Sequence, residues 1–300
     1  MARTGFRGDR GLSWRMGGVG LGLGALYVLF GAVLISFSGS ALMGIVITLG
    51  LAWGQWFFSD RLALRSIGGQ EVTPQQAPEL HAMIDRLCLM ADMPKPRVAV
   101  ADTAMPNAFA TGRTPKRAVV CVTTGIMQRL NRDELEAVIG HELGHVANRD
   151  VSVMTVASSL GLLAGFITRW GFFFGGGRNR NGNGVPFIVV FAVSMVVYFV
   201  SFLLTRALSR YRELSADRSG AALTGNPTAL ATALMKISGD MSRIPNSQLR
   251  DAQALSAFFF APAISRESIS ALFSTHPSLE RRLAQLQELG AQIDRGTTAG

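Results

Sequence analysis

Charged residues and cysteines are both scarce in this chain of 300 residues. Only 16% of the residues are charged and 48% are hydrophobic, whereas about a quarter of a typical soluble domain is charged. This composition argues against a wholly soluble fold, and the large apolar fraction excludes an intrinsically disordered chain. Cys88 and Cys121 are the only cysteines. They exclude a disulfide scaffold, and we expect two reduced, buried thiols.

Four long apolar runs alternate with the charged segments. Residues 16–59 contain no Asp, Glu, Lys or Arg over 44 residues, which is enough for two spans of about 20 residues each, with a break at 36–40. Residues 151–168 and 185–205 form the third and fourth runs. We therefore expect four transmembrane helices. The alternatives are a secretory signal peptide for the first run and buried core helices for the last two.

Positive charge predicts the orientation of these spans. The N-terminal tail carries four Arg, and residues 59–150 carry eleven Lys and Arg. Segments of this kind stay in the cytoplasm. The expected organisation is a tail with helices 1 and 2 (1–58), a cytoplasmic segment (59–150), a transmembrane hairpin (151–207) and a second cytoplasmic segment (208–300).

The basic excess of nine charges suits an anionic membrane surface as well as nucleic acid. Because apolar runs flank the basic segments, the expected partner is the lipid bilayer, and no nucleic acid is expected.

The first cytoplasmic segment has the pattern of a small α+β domain. A helix is predicted to begin at Thr73-Pro74 and to run toward Ala91. Three short β-type runs follow, separated by Pro and Gly, and they predict a small antiparallel sheet: 97–101, 107–111 and 118–123. Pro106 indicates that the second of these runs is an edge strand, where a missing N–H is tolerated.

Three further helices are predicted beyond this sheet. Asn131 can cap the first of them, with Glu134 completing a capping box. A second helix continues from the fourth apolar run through residues 211–217, and a third begins at 275–277. These helices contain the residues that suggest a chemical function.

The segment HELGH places His141 and His145 four residues apart, and the chain has only four histidines. On a helix these two side chains lie on one face, so both imidazoles can reach one metal ion. Glu142 projects about 100° away, where it can contact a water activated by the metal rather than the metal itself. The pattern predicts a catalytic zinc site, and the alternative is a helix with two solvated histidines.

Glu213 is the best candidate for a third zinc ligand. A catalytic zinc takes three protein ligands and leaves one position open, but no third histidine follows closely. His145 lies six residues before the third run and Glu213 lies eight residues after the fourth, roughly 9 and 12 Å along a helix. Both should therefore emerge from the same membrane face. Asp217, one turn later, is predicted to accept a hydrogen bond from a ligand imidazole.

Four segments together resemble a known family, in the expected order and over nearly the whole chain: NAFATG, HELGH, YRELSAD and THPSLERRL. They are similar to the HtpX-type membrane zinc metalloproteases, which are related to the CAAX prenyl endopeptidases. The prenyl endopeptidases typically have more spans, so the HtpX branch fits better. The resemblance implies one Zn²⁺ per chain, with three ligands: His141, His145 and Glu213.

The resemblance also implies roles for three other residues. Glu142 would be the general base, and His276 and Arg282 would stabilise the transition state. Judged from the residues alone, His276 could simply belong to a helix start and Arg282 to a helix surface. A location in the cell inner membrane and a role in clearing damaged membrane proteins under stress follow from the resemblance as well.

The expected protein is a mainly α membrane protein, with four transmembrane helices and a cytoplasmic zincin-like α+β domain. It would hydrolyse peptide bonds in membrane or membrane-proximal proteins, including misfolded ones. An extended substrate is expected to pair with the edge strand by strand addition, at Asn107, Ala108, Phe109 and Ala110. The competing functions are a metal-binding membrane protein without activity and an inactive scaffold. The sequence predicts no oligomeric state.

Overall fold

The computed structural model describes residues 10–38, 67–112, 114–150, 187–241 and 276–295, with isolated positions between 46 and 65 and at 154. The helices are α1 (Arg10–Ser38), α2 (Pro78–Ala91), α3 (Thr124–Arg129), α4 (Arg132–Ala147), α5 (Phe187–Thr224), α6 (Pro227–Met241) and α7 (Leu279–Asp294). The strands are β1 (Gly69–Glu71), β2 (Arg97–Ala101), β3 (Ala108–Thr111) and β4 (Val119–Thr123), and a short 3-10 helix covers Pro115–Arg117.

The chain divides into two compact units. One consists of Met1–Arg10, Ser59–Val151 and Ser209–Gly300, and the other of Gly11–Phe58 and Ser152–Leu208. The first unit contains the sheet and the predicted site residues. The assignment of these segments to membrane and cytoplasm stays a prediction.

The second unit contains α1 and the first half of α5. Within the described residues, one helix, Phe191–Thr224, is long and apolar enough to cross a membrane. Large apolar side chains such as Leu21 on α1 and Val196 on α5 are exposed, while Gly22 lies close to Leu204. The second and third apolar runs lie outside the described residues apart from isolated positions, so the four-span arrangement stays a prediction.

The sheet is mixed, and the predicted antiparallel sheet is wrong. Its strand order is β1-β2-β4-β3. β2 runs parallel to β4, with Ala99 opposite Cys121, whereas β3 pairs antiparallel with β4 and β1 antiparallel with β2. The reason is that β3 does not turn back onto β2 but lies on the far side of β4. As predicted, β3 is therefore an edge strand among the described strands, and it begins two residues after Pro106.

The two faces of the sheet are buried against different parts of the first unit. Alternating residues along a strand point to opposite faces, and here Val120 and Val122 pack with helices α2, α4 and α6 in the main core. Phe109 and Cys121 face the other side, where Leu64 and Ile67 cover them. The sheet is thus held rigidly beside α4, with the edge of β3 left unpaired by any described strand.

Helix boundaries agree with the sequence analysis where a capping pattern is complete. α4 begins with the predicted capping box, in which Asn131 and Glu134 exchange backbone and side-chain hydrogen bonds, both of 2.9 Å. α2 begins at Pro78 rather than at Thr73-Pro74, because Thr73 accepts hydrogen bonds from Gln76 and Ala77 within a turn. α7 likewise begins at Leu279, after the cap Ser278.

Candidate metal centre

Helix α4 supplies both histidines of the candidate site. His141, Glu142 and His145 are all buried, with exposed fractions of 1%, 3% and 8%. The helix is buried on nearly all sides over its second half, so the two histidines are not solvated. The alternative of a helix with two solvated histidines is therefore wrong.

Small residues let α5 approach α4 closely enough to complete the site. A Cβ on Gly220 would lie 2.6 Å from the backbone nitrogen of His141, and a Cβ on Gly144 would lie 3.4 Å from Cα of Ala216. Such contacts are possible only where side chains are absent or small. This packing brings Glu213, two turns before Gly220 on α5, over the face of α4 that carries the histidines.

The three predicted ligands meet at their metal-binding atoms. The Nε2 atoms of His141 and His145 lie 3.2 Å apart. Glu213 Oε1 lies 3.3 Å from His145 Nε2, and Glu213 Oε2 lies 3.7 Å from His141 Nε2. Ligands held about 2.0–2.1 Å from a tetrahedral zinc ion stand roughly 3.3 Å from one another. The separations of these atoms therefore match those of a zinc site.

Each histidine has a buried carboxylate on its Nδ1 side. Asp217 Oδ1 lies 2.9 Å from His141 Nδ1, at the position predicted for an acceptor of a ligand imidazole. Asp150 Oδ2 lies 2.6 Å from His145 Nδ1. Asp150 is a site residue that no sequence motif had indicated. The available signal was a charged residue directly before an apolar run, where a carboxylate needs a partner.

Both carboxylates contact a buried arginine in turn. Arg282 donates from Nε and from NH2 to the two oxygens of Asp217, at 2.7 and 2.6 Å. Arg212 Nε lies 3.1 Å from Asp150 Oδ2. Arg282 is 1% exposed, so its alternative role as a helix surface residue is wrong. No sequence motif had indicated a role for Arg212.

Glu142 is hydrogen-bonded to the backbone of the edge strand at Ala110 and interacts electrostatically with His145. Burial raises the pKa of its carboxyl group to about 7, although a hydrogen bond from the backbone of Ala110 acts in the opposite direction. A carboxyl with a pKa near the working pH can both accept and return a proton. The Ala110 contact also places β3 directly beside this group.

His276 is the remaining predicted residue at the site. It is buried, and its Nδ1 lies 3.0 Å from Glu213 Oε2, while Arg282 NH1 lies 3.9 Å from the same oxygen.

In the edge segment, Asn107 and Phe109 are buried, and the Asn107 N–H donates to Thr123 Oγ1 at 2.9 Å. Any pairing of a substrate with this segment would therefore use the backbone of β3.

The charges of the site favour a divalent cation. Burial lowers the pKa of His145, but contacts with the carboxylates of Asp150 and Glu213 outweigh burial and raise the pKa to about 10. The cluster therefore stabilises positive charge beside this imidazole. With neutral histidines, its buried members comprise four carboxylates and two guanidinium groups: Glu142, Asp150, Glu213, Asp217, Arg212 and Arg282. A Zn²⁺ ion would balance that charge, and burying uncompensated charge is costly.

Two histidines from an HExxH helix, a glutamate from a second helix and a buried glutamate beside them define a zinc metalloprotease. The chain belongs to peptidase family M48, whose family model matches residues 74–290. Curated relatives named Protease HtpX homolog match as well, and they confirm the resemblance to HtpX-type metalloproteases that the sequence motifs indicated.

Individual relatives match over almost the whole chain. The Protease HtpX homolog of Moorella thermoacetica is 53% identical over 291 residues, 95% of this chain and 97% of that protein. The Protease HtpX homolog 1 of Streptomyces coelicolor is 52% identical over 299 residues, 98% of each chain.

A solved structure shares the fold at low sequence identity. The crystal structure of S. mikatae Ste24p matches with a TM-score of 0.54 and 18% identity. The match covers 88% of this chain and 62% of that chain, so this protein spans less than two thirds of its length. At this identity the likeness shows a common fold.

Proposed function

We propose that this zinc metalloprotease is a membrane-embedded endopeptidase that cleaves membrane or membrane-proximal proteins from the cytoplasmic side. The main support for the zinc site is the separation of the His141, His145 and Glu213 donor atoms, 3.2 to 3.7 Å. The main support for a membrane location is α5, a continuous helix that contains both an apolar stretch of membrane-spanning length and Glu213.

His141, His145 and Glu213 would hold one Zn²⁺ per chain and leave a fourth position open. When bound, zinc acts as a Lewis acid, which lowers the pKa of a water molecule and polarises the scissile carbonyl. Glu142 takes a proton from the attacking water and later delivers it to the leaving amine. Its burial and the nearby edge strand support this role.

His276 and Arg282 are assigned different tasks. His276 is within reach of the ligand cluster, and we assign it to stabilisation of the developing oxyanion. Both oxygens of Asp217 are bound by Arg282. Arg282 therefore acts mainly by holding Asp217 against His141, and its NH1 group adds positive charge near Glu213.

The substrate would bind as an added strand along β3. No described strand pairs with the outer edge of β3, and Ala110 on this strand contacts the carboxyl group of Glu142. Strand addition recognises the backbone more than the side chains, so broad specificity is expected. Unfolded segments of membrane proteins, including misfolded ones, offer such extended backbone near the bilayer.

Zinc content and peptide-bond hydrolysis, measured together on the full chain in detergent, test this assignment. Glu142→Gln should keep about one zinc per chain and lose casein cleavage by about 10²- to 10⁴-fold, as expected when a general base is removed. Glu213→Ala should lose stoichiometric zinc, because two histidines alone hold the metal weakly. Glu288→Gln, at an exposed position on α7, is the matched control and should behave as wild type.

The outcomes separate this function from its alternatives. If the protein were a metal-binding protein without activity, the wild-type chain would bind zinc but cleave no casein. The same result is expected of the wild-type chain if it is an inactive scaffold. Activity of Glu142→Gln within about threefold of wild type would contradict the general-base role. Full zinc content in Glu213→Ala would place the third ligand elsewhere, with His276 as the next candidate.

The cytoplasmic orientation needs a separate experiment. Reporter fusions after Gly68, Gly182 and Gly300 should read cytoplasm, outside and cytoplasm, because an even number of crossings returns the chain to the same face. An outside reading at Gly68 would overturn both the four-span arrangement and the cytoplasmic site.

A further inference from the structure

Asp150 and Arg212 form a buried ion pair on the Nδ1 side of His145. Asp150 is 0% exposed and Arg212 is 9% exposed. Asp150 Oδ2 lies 2.6 Å from His145 Nδ1 and 3.1 Å from Arg212 Nε. One carboxylate oxygen therefore contacts both an imidazole and a guanidinium group.

We propose that Asp150 and Arg212 are positioning residues for His145. Asp150 holds the imidazole so that Nε2 faces the metal position, and Arg212 holds Asp150. The two residues act on the zinc ligand rather than on the substrate.

The proposed role follows from the chemistry of histidine. A neutral imidazole carries one N–H, and only the other nitrogen can donate a lone pair to a metal. A carboxylate that accepts from Nδ1–H fixes the tautomer with the lone pair on Nε2 and makes that nitrogen more basic. In this structure Nε2 of His145 is the atom that lies 3.3 Å from Glu213 Oε1.

The backbone turns at the end of α4, and this turn places Asp150 beside the helix. Arg149 has a φ of 56°, a left-handed conformation that costs a residue with a side chain roughly 1–2 kcal/mol. Its N–H donates to the carbonyl of Val146, so the chain turns sharply at the end of α4. This turn places Asp150 beside His145, only five residues earlier in the chain.

The arrangement on His145 matches the one on His141. His141 Nδ1 faces Asp217, which is bound by Arg282. Each candidate zinc ligand on α4 is thus backed by an aspartate, and each aspartate by an arginine. Arg282 binds both oxygens of Asp217, whereas Arg212 contacts a single oxygen of Asp150. An Asp–Arg pair behind each imidazole supports the proposal that both imidazoles are held in place.

The position of Arg212 gives the pair a further consequence. Arg212 directly precedes Glu213 on α5, so one turn of this helix provides a zinc ligand and also supports the partner of His145. The pair therefore fixes the position of a ligand on α4 relative to a ligand on α5.

Zinc affinity of the metal-stripped full chain in detergent tests the proposal, measured by competition with a chelator of known affinity. Asp150→Asn should weaken zinc binding by about 10- to 100-fold. Arg212→Gln should weaken it less, and Arg212→Lys should lie closer to wild type because it keeps the positive charge. Asp133→Asn removes an exposed carboxylate from the same helix and should leave the zinc dissociation constant unchanged.

A double variant distinguishes positioning from general stabilisation of the fold. If Arg212 acts through Asp150, Asp150→Asn with Arg212→Gln should bind zinc no more weakly than Asp150→Asn alone. Independent contributions that multiply in the double variant would overturn the chain of contacts. A lowered unfolding temperature of the metal-free variants with an unchanged zinc dissociation constant would reduce both residues to a structural role and overturn the proposal.

The test remains decisive if Asp150→Asn does not fold. Arg212→Gln then decides alone, and a zinc dissociation constant within about twofold of wild type overturns the proposal. The inference rests on the proposed zinc site, but the two fail differently. A wild-type chain that binds no zinc contradicts the proposed function, whereas tight zinc binding that Asp150→Asn leaves unchanged contradicts only this inference.

Discussion

Replacing Gly220 with alanine would place a methyl group where α5 meets the backbone of α4. The new Cβ would lie 2.6 Å from the backbone nitrogen of His141 and 2.8 Å from its Cα. Both are backbone atoms inside a helix, so neither can rotate away as the end of a side chain could. The Gly220→Ala variant can therefore fold only with α4 and α5 farther apart than in the wild-type structure.

The size of this movement can be estimated from the contact distances. Ordinary van der Waals contact begins at 3.4 Å, against 2.6 Å here, so the helices must separate by roughly 0.8 Å in a close-packed interior. Distances in a metal site must hold within about 0.2 Å. Because His141 lies on α4 and Glu213 on α5, the separation exceeds what the zinc site tolerates. Overpacking of this kind also costs about 1–3 kcal/mol of folding free energy.

Zinc content, casein cleavage and the thermal unfolding midpoint of the purified full chain provide the assay. Gly220→Ala should lose most bound zinc and most activity, and it should unfold at a lower temperature. Gly239→Ala on α6 is the matched control, since a Cβ there meets nothing within 4 Å. The control should keep its zinc and gain up to about 1 kcal/mol from higher helix propensity.

A specific result would refute this reasoning. If Gly220→Ala kept one zinc per chain and wild-type activity, the close approach of α5 to α4 would not determine the ligand geometry. The three ligands would then have to be held by contacts elsewhere, and the packing argument for the site would fail.

Three further predictions concern the fold around the site. Burial raises the pKa of the Cys88 thiol to about 11 and that of Cys121 to about 12. At pH 8 both therefore form less thiolate than an exposed cysteine, and a thiol reagent should label neither until the chain is unfolded. Asn131→Ala removes the cap of α4 and should cost about 1 kcal/mol in denaturant unfolding. Thr123→Val leaves the Asn107 N–H and the Met105 carbonyl without the hydroxyl that pairs with both, so a loss of about 1–3 kcal/mol is expected. Labelling of either thiol in the folded chain would contradict the burial of Cys88 and Cys121. An unchanged free energy of unfolding of Asn131→Ala or Thr123→Val would contradict the hydrogen bonds assigned to that residue.

Local patterns in the sequence were enough to predict helix α4 and the two metal ligands that it carries. The capping box fixed the start of the helix, and the four-residue spacing placed His141 and His145 on one face. Glu213 was predicted by a different argument. It lies eight residues after the fourth apolar run and His145 lies six residues before the third, so both residues were expected at a similar distance from the same membrane face. The first argument depends only on helix geometry, whereas the second also requires the third and fourth apolar runs to cross the membrane as a hairpin.

The strand pairing could not be predicted in the same way. The strands have three to five residues each, and such short runs carry no signal for which partner they choose. The parallel pairing of β2 with β4 depends on the helices that cover the sheet and on the path of residues 102–107. The short strand β1 and helix α6 were missed for a related reason, because their burial comes from contacts with distant parts of the chain.

Asp150 and Arg212 show the same limit at the level of the site. Asp150 directly precedes the third apolar run, Arg212 lies seven residues after the fourth, and the two are 62 positions apart in the sequence. The packing of α5 against the end of α4 brings the two side chains together. A buried carboxylate needs a cation, but the sequence alone does not say which one supplies it.

Charge balance links the site residues that sequence analysis found to those that it missed. His141, His145 and Glu213 with Zn²⁺ alone would leave one positive charge in a buried region. Adding the ionised Glu142 neutralises it, and each of the two Asp–Arg pairs is neutral by itself. The site can therefore fix both imidazoles with carboxylates without changing its total charge, because each aspartate is accompanied by its own arginine. A single unpaired aspartate in either place would leave an uncompensated buried charge, which explains why the structure pairs Asp217 with Arg282 and Asp150 with Arg212.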